Sequence, residues 1–481
     1  MAEENWHQAR LIPTSGINGA EEQERRATSA LLAVMSSVRE FGRGLTQPLG
    51  AIAGTVDTYI EVPFQLADKR LYPDGLIRVS RGARRWTALV EVKTGNNALQ
   101  PEQIENYLDI AKEQGFDAVL TISNEIPAVA GQHPTKVDRR KVRKVALHHL
   151  SWSQVLCEAV MQKEHRGVAD PDQAWILGEL IRYLEHPRSG ALEFDDMGEN
   201  WVPVRQAVAS GTLRATDKTA PEVVARWDAL LRFSSLQLGR RLGEEVTPVL
   251  SRKESAEPSL RSQNLIASLA SDGHLAGAIR IPNAVGPVVV TADLRAGQVT
   301  CHVDIDAPKE GRPATRVKWL LRQMPEASDG LRVEAFAMHT RGAGAAELLR
   351  DVRANPVILV NDPTKELRSF RVASAKPLGS KRGRGRGSFI DSVNDAINTF
   401  YAEVVQNLKA WRATPPQLRS IEPAELSDRA LSSTALSSQD GVEADVPTED
   451  NPLTITWSPT ANDVATSAGS LPTHEASAAP T

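Results

Sequence analysis

The stretch Tyr72-Pro73-Asp74-Gly75-Leu76-Ile77-Arg78-Val79-Ser80-Arg81-Gly82-Ala83-Arg84-Arg85-Trp86-Thr87-Ala88-Leu89-Val90-Glu91-Val92-Lys93 decides how this chain is read. Leu76 to Ser80 and Trp86 to Val92 are rich in strand formers, and Arg81-Gly82-Ala83-Arg84 separates them. A two-residue loop with glycine first matches a type II′ hairpin turn. With Gly82-Ala83 as that loop, Asp74 falls directly opposite Glu91. Opposed residues of an antiparallel pair hold their Cβ atoms about 4.5–5.5 Å apart. Two carboxylates at that spacing can share one Mg²⁺, whose oxygen ligands sit at about 2.0–2.1 Å. Side chains alternate along a strand, so Lys93 shares the face of Glu91 while Val90 and Val92 point into a core. Gly75 beside Asp74 suits a bulge or a close backbone approach. A divalent ion held there would neutralise a phosphodiester and lower the pKa of a bound water. A lysine beside it would orient that water or steady the developing charge. The competing reading is a surface salt-bridge cluster, which is worth little energetically.

The flanking sequence weighs against the plain cluster. Thr94-Gly95-Asn96-Asn97 makes a turn, Pro101 stands where a first helical residue would, and Gly115 where a C-terminal cap would. Gln103 and Tyr107 are four apart on that helix and share a face. Phe116 to Ser123 is a short apolar, β-branched run of the kind buried inside a sheet. Val142 to Leu150 reads as the next strand, leading to a helix near Gln154, and this order favours parallel pairing. Upstream, Ala20 to Arg39 reads as one long helix whose stripe Ala27, Leu31, Met35 and Val38 extends back to Glu24. A carboxylate on a core-facing stripe needs a partner, and a metal or Lys93 would serve; a solvated first-turn glutamate is the alternative.

These residues together resemble the PD-(D/E)xK nuclease superfamily, and within it the RecB-like and lambda-exonuclease-like branch. The match covers about a third of the chain, roughly Ala20 to Lys163: Glu24, Pro73-Asp74, Glu91-Val92-Lys93 and Gln103-x-x-x-Tyr107. The resemblance implies a restriction-endonuclease-like αβββαβ core, with Val56 to Phe64 as its first strand. It implies Asp74 and Glu91 as ligands of Mg²⁺ or Mn²⁺, and Lys93 as the residue that positions or activates the nucleophilic water. Glu24 is implied as an auxiliary acid, and Gln103 and Tyr107 as an accessory site. No cysteine-ligated iron–sulfur signature and no helicase motif accompanies the match.

At 481 residues and 41% hydrophobic content, the chain is long enough for two or three domains with real cores. A formal charge of −4 excludes a global basic field, so nucleic-acid binding must use local patches. The segment from Pro134 to Lys144 is one, with Lys136, Arg139, Arg140, Lys141, Arg143 and Lys144 as candidate phosphate contacts; a solvated strand edge is the alternative. Lys381-Arg382-Gly383-Arg384-Gly385-Arg386-Gly387 is the sharpest basic run. Two cysteines, no apolar signal region and no apolar run long enough to span a bilayer predict a cytoplasmic protein without a membrane partner.

The organisation expected is an α/β chain: an N-terminal arm (1–19), the nuclease-like domain (20–165), a helical domain (166–246), a linker (247–263), an α+β domain (264–412) and a disordered tail (413–481). Helices are expected at Asp172 to Glu185, Trp201 to Ser210, Pro221 to Leu242, Ala314 to Gln323, Ala345 to Arg353 and Phe389 to Trp411. Strands are expected at Leu275 to Ile281, Val288 to Leu294, Val299 to Ile305, Leu331 to His339 and Leu367 to Ala373. His302, Asp304 and Asp306 alternate on one of these, most simply as its solvent-facing side. The expected activity is metal-dependent phosphodiester hydrolysis, DNA favoured, in repair, restriction or defence. The C-terminal domain would supply a protein partner site or self-association. The rival reading is a nuclease-fold binding or regulatory module, without cleavage, in a stress or defence response.

Overall fold

Ala20–Ser37 forms α1 because its apolar residues recur every three or four positions, burying Ala27, Leu31, Leu32, Val34 and Met35. The computed structural model describes residues 11–12, 19–127 and 131–413. Most of the expected N-terminal arm, and all of the expected tail beyond Ala413, lie outside them. The helix expected to run to Arg39 stops at Ser37, because Val38 turns extended (φ −104°, ψ 96°) to bury its side chain, and α2 (Arg39–Thr46) starts afresh.

Strand β1 (Thr55–Ile60) is shorter than expected, since Glu61 takes φ 51° and ends the extended run. Phe64 belongs instead to a small hairpin, β2 (Phe64–Leu66) with β3 (Lys69–Leu71). Next come β4 (Gly75–Arg81) and β5 (Arg84–Val92), paired from Arg81 with Arg84 to Gly75 with Val90. That is the register read from the sequence; Gly82 has φ 60° and Ala83 is not in the positive-φ region, as a II′ loop requires. Helix α3 (Pro101–Gln114) starts on its proline and ends on Gly115 at φ 67°. Strand β6 (Ala118–Ser123) lies parallel to β5, and β7 (Ala146–Ser151) parallel to β6. The expected start of β7 at Val142 is corrected: Lys141–Arg143 is a 3-10 turn, held by Lys141 ion pairs to Glu105 and Asp109 of α3. Helix α4 (Trp152–Val160) begins with a capping box between Ser151 and Gln154, and a π-helical turn (Met161–Arg166) leads to α5 (Pro171–Leu184).

The five strands lie in the order β1-β4-β5-β6-β7, a mixed α/β arrangement. One face, with Ile77, Val79, Val90, Val92, Leu120 and Ile122, shares a core with α1, α2, α4 and α5. The other, with Leu76, Leu89 and Val119, packs on Ile104 and Leu108 of α3. Side chains of β4 and β5 alternate between the two cores, so every residue from Trp86 to Val92 is buried.

The remaining described chain forms α6 (Trp201–Ala209), α7 (Ala220–Leu242), β8 (Thr247–Val249), α8 (Arg252–Ala256), α9 (Pro258–Ser271) and β9 (His274–Arg280). It continues through β10 (Val288–Asp293), β11 (Gln298–Asp306), α10 (Pro313–Leu321), β12 (Arg332–Ala337), β13 (Ala345–Leu348), α11 (Leu349–Ala354), β14 (Leu367–Pro377) and α12 (Phe389–Glu403). The strands make an antiparallel sheet ordered β13-β12-β14-β11-β10-β9-β8. Three expectations change here. The segment 247–263 is not a linker: β8 pairs with β9 at the sheet edge, and a Ser251–Glu254 capping box starts α8. Ala345 to Leu348 is a strand, because it completes the β12 edge, and only Leu349–Ala354 is helical. Helix α12 stops at Glu403, where Val404 leaves helical geometry to bury its side chain.

The expected helical domain, 166–246, is shared between two cores. Leu177, Leu180 and Tyr183 of α5 belong to the first sheet's core. Trp201 and Trp227 stack on Phe389 at ring-centroid distances of 4.3 and 6.0 Å, inside the second core. His302, Asp304 and Asp306 sit on the polar side of β11, with Asp304 paired to Arg371 at 2.7 Å. No described helix is long and apolar enough to cross a membrane.

Candidate active site

Asp74 sits one residue before β4 and Glu91 near the end of β5, so the hairpin register brings the two carboxylates face to face. Gly75 makes this possible. A Cβ there would lie 2.4 Å from Leu32 of α1, while the β4–β5 register runs through without a shift. The close approach therefore explains the glycine, and no bulge is present.

Asp74 Oδ2 accepts a hydrogen bond from the Val92 backbone N–H at 2.7 Å, which fixes one carboxylate oxygen. Glu91 is 1% exposed. Its Oε1 lies 2.7 Å from Lys93 Nζ, an ion pair inside the core. Lys93 Nζ also donates to Glu24 Oε1 at 2.9 Å and to the Val92 carbonyl at 3.1 Å. The Glu24 carboxylate on the stripe of α1 thus reaches Lys93, just past the end of β5. The Lys93 backbone is pinned at both polar groups: its N–H donates to Ile122 (2.7 Å), and its carbonyl accepts from the Trp152 indole (2.9 Å).

Gln103 and Tyr107 meet on α3, with Gln103 Nε2 donating to the Tyr107 hydroxyl at 3.1 Å. That hydroxyl donates in turn to the Tyr72 carbonyl at 3.4 Å, just upstream of Asp74. All six residues predicted for the site therefore converge on one end of the β4–β5 hairpin.

The electrostatics follow from burial of like charges. Desolvation and the facing Asp74 push Glu91 up to about 8, against the pull of Lys93. Desolvation also raises Asp74, although the Val92 N–H and Lys93 oppose it. Lys93 is raised as well: burial works against its ammonium, but Glu91 and Glu24 favour the charge more strongly. Burial and the two carboxylates hold the Tyr107 phenol protonated far above its usual range.

No family of known proteins matches the chain, and no curated protein does.

The basic segment stands apart from this geometry. Lys141 is neutralised by Glu105 and Asp109, whereas Lys136, Arg139, Arg140, Arg143 and Lys144 are exposed. The Arg-Gly run is more constrained than its composition implies: Arg382 pairs with Asp196, and Arg384 with Glu193 and Asp391.

The sequence reading missed a polar row across the sheet. Glu91 is in register with Thr121 of β6, and Thr121 with His149 of β7. Thr121 Oγ1 lies 2.8 Å from both His133 Nε2 and His149 Nδ1. The backbone N–H of Thr135 donates to His133 Nδ1 and the Glu125 carbonyl faces His149 Nε2. The Glu125 carbonyl fixes His149, whose Nδ1 then accepts from Thr121, whereas His133 Nδ1 lies within reach of both the N–H and the carbonyl of Thr135. Within an apolar run, the only sequence signal was Thr121 itself. Asn124 was also missed; it bonds the carbonyls of Gly95 and Gly190 and the N–H of Leu192.

A divalent ion fits the residues present. Two opposed carboxylates, one of them buried with the Lys93 ammonium against it, form an oxygen-only donor set of the hard kind that Mg²⁺ and Mn²⁺ take. Among the described residues no group of three or more His, Cys, Asp and Glu side chains is arranged for a metal, so the pair would rely on water and substrate oxygens for the rest.

Proposed function

We propose that this chain is a metal-dependent nuclease of the PD-(D/E)xK kind, hydrolysing phosphodiester bonds in nucleic acid. The observation that carries the reading is Glu91, a carboxylate buried to 1% exposure in register with a second carboxylate, Asp74. The one cationic neighbour of Glu91 among the described residues, Lys93 Nζ at 2.7 Å, is shared with Glu24, so a divalent ion would offset the two facing carboxylates better than that ammonium alone. Asp74 and Glu91 are the residues that would hold Mg²⁺ or Mn²⁺, which supplies charge neutralisation on the scissile phosphate and a more acidic bound water.

The other groups have roles set by their protonation. Lys93 stays charged, is held by Glu24 and Glu91, and presents its ammonium beside the reacting centre to orient water and stabilise negative charge. Tyr107 stays protonated, so it is a neutral donor and not a base. Gln103 orients that hydroxyl. The element order α1-β1-β4-β5-α3-β6, with the β2–β3 hairpin as an insertion, supports the restriction-endonuclease-like reading of the core.

The test is cleavage of linear, circular, single-stranded and double-stranded DNA and RNA with Mg²⁺ or Mn²⁺. Asp74→Ala and Lys93→Ala should each lower the rate by about 100-fold or more; unchanged rates in both would sink the assignment. Calorimetry should show Mn²⁺ binding to the wild type and none to Asp74→Ala. Nucleic-acid binding without any Mn²⁺ binding would favour the rival binding module.

A further inference from the structure

We infer that the substrate enters the candidate active site as a single strand, its bases stacked on Tyr59 and Tyr72. This rests on the nuclease reading and names the substrate form that the same site would take.

Large apolar side chains at the surface are ordinary when scattered. Here they cluster. Tyr59, Ile60 and Tyr72 are 45%, 52% and 52% exposed, and they account for three of the nine such side chains among the described residues. Tyr59 and Tyr72 border the Asp74–Glu91 pair, while Ile60 turns to the other face of the sheet. Tyr59 pairs with Leu76 and Ile60 with Gly75, while Tyr72 is two residues before Asp74.

The face is also the right one. Thr58 donates its hydroxyl to Leu32 of α1, so alternation turns Tyr59 to the opposite side of the sheet. Leu76, its register partner, packs on the α3 side, as does the Asp74–Glu91 pair. Two residues along a strand span about 6.5–7 Å, so Tyr59 stands one side-chain row from the carboxylates. Tyr72 is anchored by its carbonyl, which accepts from Tyr107 within the site.

Each ring carries an arginine. The Arg78 guanidinium lies 5.8 Å from the Tyr59 centroid, and that of Arg70 lies 5.4 Å from Tyr72. Neither arginine forms an ion pair with a described residue, and the same holds for Lys69 beside Arg70 on β3. The arginines of the 382–384 loop, by contrast, are saturated by carboxylates. Exposed aromatic faces beside uncompensated positive charge are the parts of a single-strand track: rings stack on bases and cations follow the phosphates. A duplex keeps its bases paired and stacked, and offers these rings nothing to stack on.

The test reads binding without metal, so it does not depend on catalysis. Fluorescence anisotropy in EDTA would compare a labelled single-stranded oligo(dT), an oligo(U) and a duplex of equal length. The wild type should bind the single strands more tightly than the duplex. Tyr59→Ala and Tyr72→Ala should each weaken single-strand binding by about 5-fold or more, with Tyr→Phe retaining it. Both side chains are exposed, so thermal unfolding should be unchanged in these variants. Wild-type affinity for single strands in the double alanine variant, or equal binding of duplex and single strand, overturns the inference. Failure of the nuclease reading would show separately, as loss of Mn²⁺ binding or cleavage in the metal experiments.

Discussion

Glu91 keeps its proton up to about pH 8 in the metal-free protein, and this has two measurable consequences at the residue scale. Mn²⁺ must displace that proton, so its apparent affinity should rise by about tenfold per pH unit below 8 and level off above it. Calorimetry in buffers of different ionisation enthalpy would detect the released proton; a flat affinity between pH 6 and about 8 would contradict the assignment of Glu91 as a ligand. The second consequence concerns stability. A carboxyl whose folded pKa is raised favours folding below its unfolded pKa, and that contribution is lost as pH rises through the folded value. The cost of Glu91 therefore builds up between roughly pH 4.5 and 8 and is complete above that. Glu91→Gln should bind no Mn²⁺ yet be more stable than wild type at pH 8–9, by on the order of a few kcal/mol, and so melt at a higher temperature. Thermal melts across that range check the sign.

At the scale of elements, β6 does more than fill the sheet. Thr121→Val preserves shape but removes the hydroxyl between His133 and His149, leaving two ring nitrogens without their partner. The expected loss is about 1–3 kcal/mol in denaturant unfolding. Elements whose signals are local were legible from sequence. Gly82-Ala83 set the hairpin register, Pro101 and Gly115 bracketed α3, and the stripe on α1 led to Glu24. Elements decided by tertiary packing were not. Nothing in Val38 announces the α1–α2 break, and Ala345 to Leu348 becomes a strand only because β12 offers an edge. The six site residues were readable because each stands at a fixed offset from a turn or cap. The Thr121–histidine row was not, because it joins three distant segments by register alone.

For the molecule as a whole, the two cores divide the chain differently from its composition. The segment rich in Glu, Ser, Pro and Arg after residue 246 belongs to the second sheet, through β8 and α9. A fragment of residues 264–412 lacks β8, α6 and α7, and so strips Trp201 and Trp227 from Phe389. It should fail to fold, whereas residues 193–412 should give a cooperative melt by circular dichroism. A cooperative transition in the shorter fragment would show that these helices are dispensable. The wider architecture also carries a reporter of its own. Trp152, fully buried on α4, donates its indole N–H to the carbonyl of Lys93. The chain has nine tryptophans, and Trp152→Phe should remove one indole proton resonance from the spectrum. That single peak would then register Mg²⁺ arriving beside Lys93 in solution, with no label attached and no substrate turned over.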